Sequence, residues 1–126
     1  MLALSFMVHG APVPKARARV MAAGYSFTPK RVRDYEKLVR ERAKEAVAAV
    51  PGWPKEHEAG YRVRIAVYRE ARRGDLDNLL KSVTDAIQGG VVMDDDRRIL
   101  DLHGLMFVDK ADPRVLVEVV PLEASP

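Results

Sequence analysis

The chain has 126 residues, 48% of them hydrophobic and 31% charged, which fits one compact domain with its own core and excludes a disordered polypeptide. It contains no cysteine, so disulfides, thiolate nucleophiles and Cys-based zinc sites are excluded, and a reducing compartment, the cytoplasm, is expected. With 21 Lys and Arg against 18 Asp and Glu the net charge is only +3, too small by itself to call for a polyanionic partner.

The amino terminus has no basic segment ahead of an apolar run and no small-residue cleavage site, and no apolar stretch approaches the ~20 residues of a membrane span. A soluble, unprocessed chain with no membrane partner is expected. Leu2, Leu4, Phe6 and Val8 alternate with smaller or more polar neighbours, which predicts a first strand. Residues 10–27 carry Pro12, Pro14, Gly24 and spaced cations, the composition of an extended loop or irregular hairpin. Thr28-Pro29 reads as a helix N-cap followed by proline at the first helical position. Val32, Tyr35, Leu38, Val39, Ala43, Ala46, Val47 and Val50 then keep helical spacing until Pro51-Gly52.

Tyr61, Val63, Ile65 and Val67 alternate with Arg62, Arg64, Ala66 and Tyr68, predicting a half-buried strand. A second helix is expected from Leu76 to Gln88, with one apolar stripe and Gly89-Gly90 as its stop. Strands near 99–108 and 115–120, joined by a polar turn, complete the order β-α-β-α-β-β. This is an α/β (α+β) single domain, a mixed β-sheet with two main helices over residues 1–122, and residues 123–126 form a flexible tail.

Laid along the chain, the charge separates. Residues 10–44 carry +7, residues 45–74 carry +2, and residues 75–123 carry −6. Segregation of this kind raises the expectation of nucleic-acid contact. The candidate phosphate contacts are Lys15, Arg17, Arg19, Lys30, Arg31, Arg33, Arg72, Arg73 and Lys110.

The acidic half holds the most informative stretch, Asp75-Leu76-Asp77-Asn78-Leu79-Leu80-Lys81, followed by Asp94-Asp95-Asp96. A structural explanation covers the first part: Asp75 caps a helix, Asp77 complements its dipole and Lys81 pairs with Asp77 at i,i+4. It does not cover three adjacent aspartates, which repel unless solvated, paired or bound to a cation. If the chain reverses at Gly89-Gly90, residues 91–96 could return along the helix and set Asp96, with Asp95 or Asp94, beside Asp75 and Asp77. Such a cluster suits Mg²⁺, with Mn²⁺ as substitute. Carboxylates embedded in cations suggest metal-assisted phosphodiester hydrolysis, because a bound metal reverses the local sign. In that scheme Asp75, Asp77 and Asp96 hold metal, Lys81 contacts the scissile phosphate or stabilises transition-state charge, and Asn78 orients a ligand or water.

That stretch, with Asp85-Ala86 and Gly90-Val91-Val92-Met93-Asp94-Asp95-Asp96-Arg97-Arg98-Ile99-Leu100, closely resembles the core motif of the RusA family of Holliday junction resolvases. Pro12-Val13-Pro14-Lys15-Ala16-Arg17, Tyr25-Ser26-Phe27-Thr28-Pro29-Lys30, His103 and Lys110 are also similar to that family. The resemblance implies catalytic carboxylates at Asp75, Asp77 and Asp96 and an essential lysine at Lys81. It further implies a Mg²⁺-dependent homodimer that makes paired symmetric nicks in four-way DNA junctions in recombination and repair, with no protein cofactor. The family shows an acidic pair after a variable residue where three aspartates run together here; counting from Asp85 makes Asp95-Asp96 that pair, and the third carboxylate is one of those two.

A two-fold substrate cut at two related phosphates calls for two active sites about a dyad, which a homodimer supplies. Two other functions fit the same residues: a non-catalytic DNA-binding accessory protein, and a metal-dependent nuclease for other branched DNA. Trp53 and Phe27 are better read as core or loop anchors than as base-stacking platforms, and His9, His57 and His103 form no metal-ligand spacing.

Overall fold

The computed structural model describes residues 2–15, 19–20, 26–27, 29–72 and 74–124, with 19–20 and 26–27 described as backbone. The main elements are β1 (Leu4–His9), α1 (Lys30–Ala48), β4 (Tyr61–Arg69), α2 (Leu76–Ile87), β5 (Ile99–Val108) and β6 (Arg114–Pro121). The irregular hairpin expected after β1 contains a two-residue ladder, β2 (Arg19–Val20) against β3 (Ser26–Phe27), and a 3-10 turn, Asp96–Arg98, leads into β5.

The four long strands form one mixed sheet in the order β1-β6-β4-β5. Neighbours are antiparallel except β4 and β5, which run parallel. Parallel strands need a crossover, and α2 is that crossover. The alternation read in the sequence is the alternation of the sheet: Tyr61, Val63, Ile65 and Val67 on β4 are at most 1% exposed. Leu4 and Val8 on β1 and Val115, Val117 and Val119 on β6 extend that buried face, while Arg62 and Arg64 point out the other side.

Both helices cover the buried face. On α1, Val32, Tyr35, Val39 and Ala43 form the buried stripe. The helix begins one residue later than the cap pattern predicts: Pro29, at φ −55° and ψ 145°, occupies the capping position and Lys30 is the first helical residue. Proline in an extended conformation offers no side-chain acceptor, so the end carries no side-chain cap; Thr28 lies outside the described residues. On α2, Leu79, Val83, Ala86 and Ile87 are buried to within 1%, each worth about 1 to 3 kcal/mol for the larger side chains. Trp53 is buried too, its indole N–H donating to the Val92 carbonyl at 2.9 Å, as a core anchor should. No described helix is long and apolar enough to cross a membrane.

Candidate active site at the carboxyl ends of β4 and β5

The crossover fixes where α2 begins and ends. Its head follows the carboxyl end of β4, and its tail must reach the amino end of β5. Gly74, at φ +86°, makes the turn out of β4 that an L side chain rarely adopts, and Asp75 then caps the helix. Asp75 Oδ1 accepts the Asp77 main-chain N–H at 2.9 Å, and Oδ2 accepts from the Asn78 amide at 3.3 Å. Asp77 stands in the first turn, where the helix dipole favours a carboxylate. Among the described residues no salt bridge forms on either aspartate.

Lys81 turns away from Asp77. Its Nζ lies 3.2 Å from Asp85 Oδ1, one turn further along α2. Asp85 Oδ2 receives Lys15 Nζ at 3.3 Å, and the same ammonium is 2.7 Å from Glu36 Oε1 on α1. Burial works to lower the Lys15 pKa, but the hydrogen bonds to Glu36 and Asp85 outweigh it and hold the ammonium above its ordinary value. The Lys15 N–H also donates to the Asn78 carbonyl at 2.8 Å. Lys15 therefore ties the segment after β1 to both helices, its ammonium facing one carboxylate on each. Asp85, which stands in the motif without an assigned role, and Glu36, which no motif singled out, orient the two lysines; for Asp85 a further signal is its i,i+4 spacing from Lys81.

Other cations gather at this end. Arg31 at the start of α1 and Arg69 at the end of β4 line a cleft of about 140 Å³ with Pro12, Glu70 and Ala71. Arg72 is exposed just before α2, and Lys30 and Arg33 are exposed on the first turn of α1. Lys110 is exposed on the turn after β5, and that turn is fastened here by the Asp109 N–H to the Arg69 carbonyl at 2.8 Å. Arg17 and Arg73 lie outside the described residues, and Arg19 is described as backbone only.

The three aspartates sit elsewhere. The segment after α2 does not return along the helix; it closes on itself, Gly89 N–H donating to the Asp94 carbonyl at 3.0 Å and Gly90 N–H to the Met93 carbonyl at 2.8 Å. Val91, Val92 and Met93 fill the bottom of the core. The Asp96 N–H is held by the Gln88 side chain at 3.1 Å, just past the tail of α2. A helix of 12 residues separates the two acidic groups by roughly 18 Å. The expected meeting of Asp96 with Asp75 and Asp77 does not occur within one chain, and among the described residues no three metal-ligating side chains converge.

The run of aspartates is also resolved into different roles. Arg98 grips Asp94 through Nε at 2.6 Å and Nη2 at 3.0 Å, and that guanidinium is the main cause holding the Asp94 carboxyl below the usual range. Asp95 caps the 3-10 turn, accepting the Arg97 N–H at 2.8 Å and its side chain at 3.1 Å, and its pKa is lowered by the same residue. Only Asp96 of the three forms no salt bridge among the described residues. Much of the like-charge repulsion is thus relieved by the two arginines that follow.

Asp75 and Asp77 suit a hard divalent cation, since Mg²⁺ is commonly held by one or two carboxylates together with water and substrate phosphate. Capping leaves lone pairs free on Asp75, because an ionised carboxylate has about four acceptor sites.

The family model described as Endodeoxyribonuclease RusA matches residues 9–120, which take in both helices, β2 to β5, nearly all of β6 and every acidic position above, with β1 matched only at its last residue. The chain is also 25% identical over 114 residues, covering 90% of its length and 87% of the relative, to a protein of Aquifex aeolicus (strain VF5) named crossover junction endodeoxyribonuclease RusA. The fold, the carboxylate-headed crossover helix and a match over most of the chain agree: this protein belongs to the RusA family of endodeoxyribonucleases.

Proposed function

We propose that the protein resolves four-way DNA junctions as a homodimer, by Mg²⁺-dependent paired nicks, with Mn²⁺ as a substitute metal. The observation that carries this reading is the juxtaposition, at the carboxyl ends of β4 and β5, of Asp75 and Asp77 with a rim of cations that includes Arg31, Arg72 and Lys110. Carboxylates alone would repel DNA, and cations alone would only bind it.

Asp75 and Asp77 hold the metal, which when bound polarises a phosphoryl oxygen and lowers the pKa of a coordinated water. Lys81, one turn along the same helix and paired with Asp85, supplies positive charge for the scissile phosphate. The rim cations fix the duplex arms by phosphate contact, which positions DNA without reading its sequence.

The third carboxylate is Asp96, which unlike Asp94 and Asp95 forms no salt bridge among the described residues. Because α2 separates it from Asp77, one chain does not bring the set together, and a second copy supplies it: each active site takes Asp75, Asp77 and Lys81 from one subunit and Asp96 from the other. A two-fold dimer then has two such sites, matching the two-fold symmetry of a junction.

The test is incubation with a synthetic four-way junction and Mg²⁺. The wild-type protein nicks two opposed strands, and Asp77→Asn binds without nicking. Wild-type binding without cleavage would establish an accessory DNA-binding protein instead, and equal cleavage of flaps or linear duplex would establish a less selective nuclease.

A further inference from the structure

The sequence of α1 repeats a triplet. Val32-Arg33-Asp34, Val39-Arg40-Glu41 and Ala43-Lys44-Glu45 each place an apolar residue, a cation and a carboxylate in succession. Successive helical residues turn by about 100°, so the apolar members enter the core, the cations line one flank and the carboxylates the other. Lys37, between Arg33 and Arg40 at helical spacing from both, completes the line. We infer that Arg33, Lys37, Arg40 and Lys44 form a track that holds the phosphate backbone of one duplex arm and leads away from the rim cations of the active site; this deepens the resolvase reading above and rests on it.

The flank is not neutralised from within the chain. Elsewhere on α1, Lys30 pairs with Asp34 at 2.9 Å, Arg42 with Glu45 at 3.1 Å, and Glu36 receives Lys15 at 2.7 Å. Among the described residues none of the track cations forms an ion pair. Lys37 even stands i,i+4 from Glu41, the spacing at which a solvated helix face ordinarily pairs its charges. Arg33, Lys37 and Lys44 are exposed, and Arg40 is half-exposed. A line of unpaired cations attracts a polyanion and displaces its counterions on contact.

Position and length select a duplex arm as the occupant. The helices α1 and α2 pack side by side, and the cations lie on the α2 flank: Lys44 lines a cleft of about 330 Å³ with Lys55, Gly90 and Val91, just past the tail of α2. The exposed residues of α2, Asp77 and Lys81 among them, therefore have the track beside them. It starts at the active-site end, where Arg33 stands in the first turn of α1, and runs toward Lys55. From Arg33 to Lys44 is roughly 16 Å of helix, which at about 3.4 Å per phosphate along one strand matches about five base pairs. A rim confined to the site fixes a phosphate, whereas a line of this length also fixes the direction in which the arm leaves.

The test is binding to a synthetic four-way junction over a range of salt, without divalent metal. Lys37→Gln, Arg40→Gln and Lys44→Gln should each make the slope of log affinity against log salt shallower by about one, and the triple variant by about three. Arg42→Gln, which removes an already paired cation of the same helix, should leave the slope unchanged. Replacing the phosphates of two opposed arms one position at a time by uncharged methylphosphonates should weaken wild-type binding over about five consecutive positions of one strand, and the triple variant, shown to be folded by a cooperative melt, should be insensitive there. A folded triple variant with wild-type slope and affinity, while the wild type nicks junctions once Mg²⁺ is added, overturns the track and leaves the resolvase reading intact. A shallower slope with the methylphosphonate pattern unchanged also overturns the track, since only the overall field has then altered. Wild-type binding without nicking in Mg²⁺, with the arm pattern lost in the triple variant, overturns the resolvase reading and leaves the track standing.

Discussion

Asp77 and Asp96 occupy opposite ends of one helix: Asp77 lies in the first turn of α2, and the N–H of Asp96 is held by Gln88 at the other end. The parallel pairing of β4 with β5 imposes this, since a crossover helix must carry the chain from one end of the sheet to the other. A single chain thus presents Asp75 and Asp77 at one end of α2 and Asp96 at the other.

Asp75 combines a structural and a proposed chemical role, and two substitutions separate them. Asparagine caps a helix about as well as aspartate, so Asp75→Asn should change stability by less than about 0.5 kcal/mol while abolishing nicking, whereas Asp75→Ala should lose activity and about 1 kcal/mol as well. Urea unfolding alongside junction cleavage checks both. Retained cleavage by Asp75→Asn would remove this carboxylate from the site.

Lys15 and Arg31 should behave differently toward DNA. Arg31→Gln should weaken binding to every junction sequence alike and reduce the slope of log affinity against log salt by about one. Lys15→Gln should leave that slope unchanged and lower the melting temperature, since its partners Glu36 and Asp85 lose their shared cation. Salt titrations of junction binding, with melts of both variants, distinguish the two outcomes.

The turn between β5 and β6 gives a pH signature. The Arg114 guanidinium, 2.8 Å from Asp109, is the main cause holding that carboxyl below its ordinary value. A depressed folded pKa contributes stability above the unfolded value of about 3.9, and the contribution disappears as pH falls through the folded pKa. Arg114→Gln should therefore lower the urea midpoint near pH 7 by more than near pH 3. The part that persists in acid reflects the loss of Arg114 from the Tyr68 ring, 3.9 Å away. An equal deficit at both pH values would show that the ion pair contributes nothing.

Gly104 is required by close packing. A methyl group there meets Leu80, so Gly104→Ala should cost about 1 to 3 kcal/mol by overpacking. Adding Leu80→Ala should recover part of that cost, a coupling that denaturant unfolding of the four-member cycle measures directly.

Much of this architecture was legible in the sequence because the signals were periodic and local. The alternation of Tyr61 to Val67, the stripe of α2 and the β5 boundaries all match the structure closely, and Asp75 caps as its position before Leu76 predicts. The path of residues 89–96 was not legible. Its length permits an extended return, and nothing local tells Val91, Val92 and Met93 that they will plug the core while Gly89 bonds to Asp94. That choice depends on β5 pairing parallel to β4, a long-range fact. The partner of Lys81 was likewise ambiguous, since Asp77 and Asp85 are both four residues away, and Asp85 prevails where it also binds Lys15.

The most direct test of a shared active site is complementation. Asp77→Asn and Asp96→Asn proteins are each inert; they are mixed, allowed to exchange subunits, and assayed on a four-way junction with Mg²⁺. If each site takes Asp77 from one chain and Asp96 from the other, a mixed dimer has one intact site and one doubly defective site, so the mixture should regain nicking at about a quarter of the wild-type level. If each site were built within a single chain, every site in the mixture would remain defective, and no recovery after demonstrated subunit exchange would contradict the account.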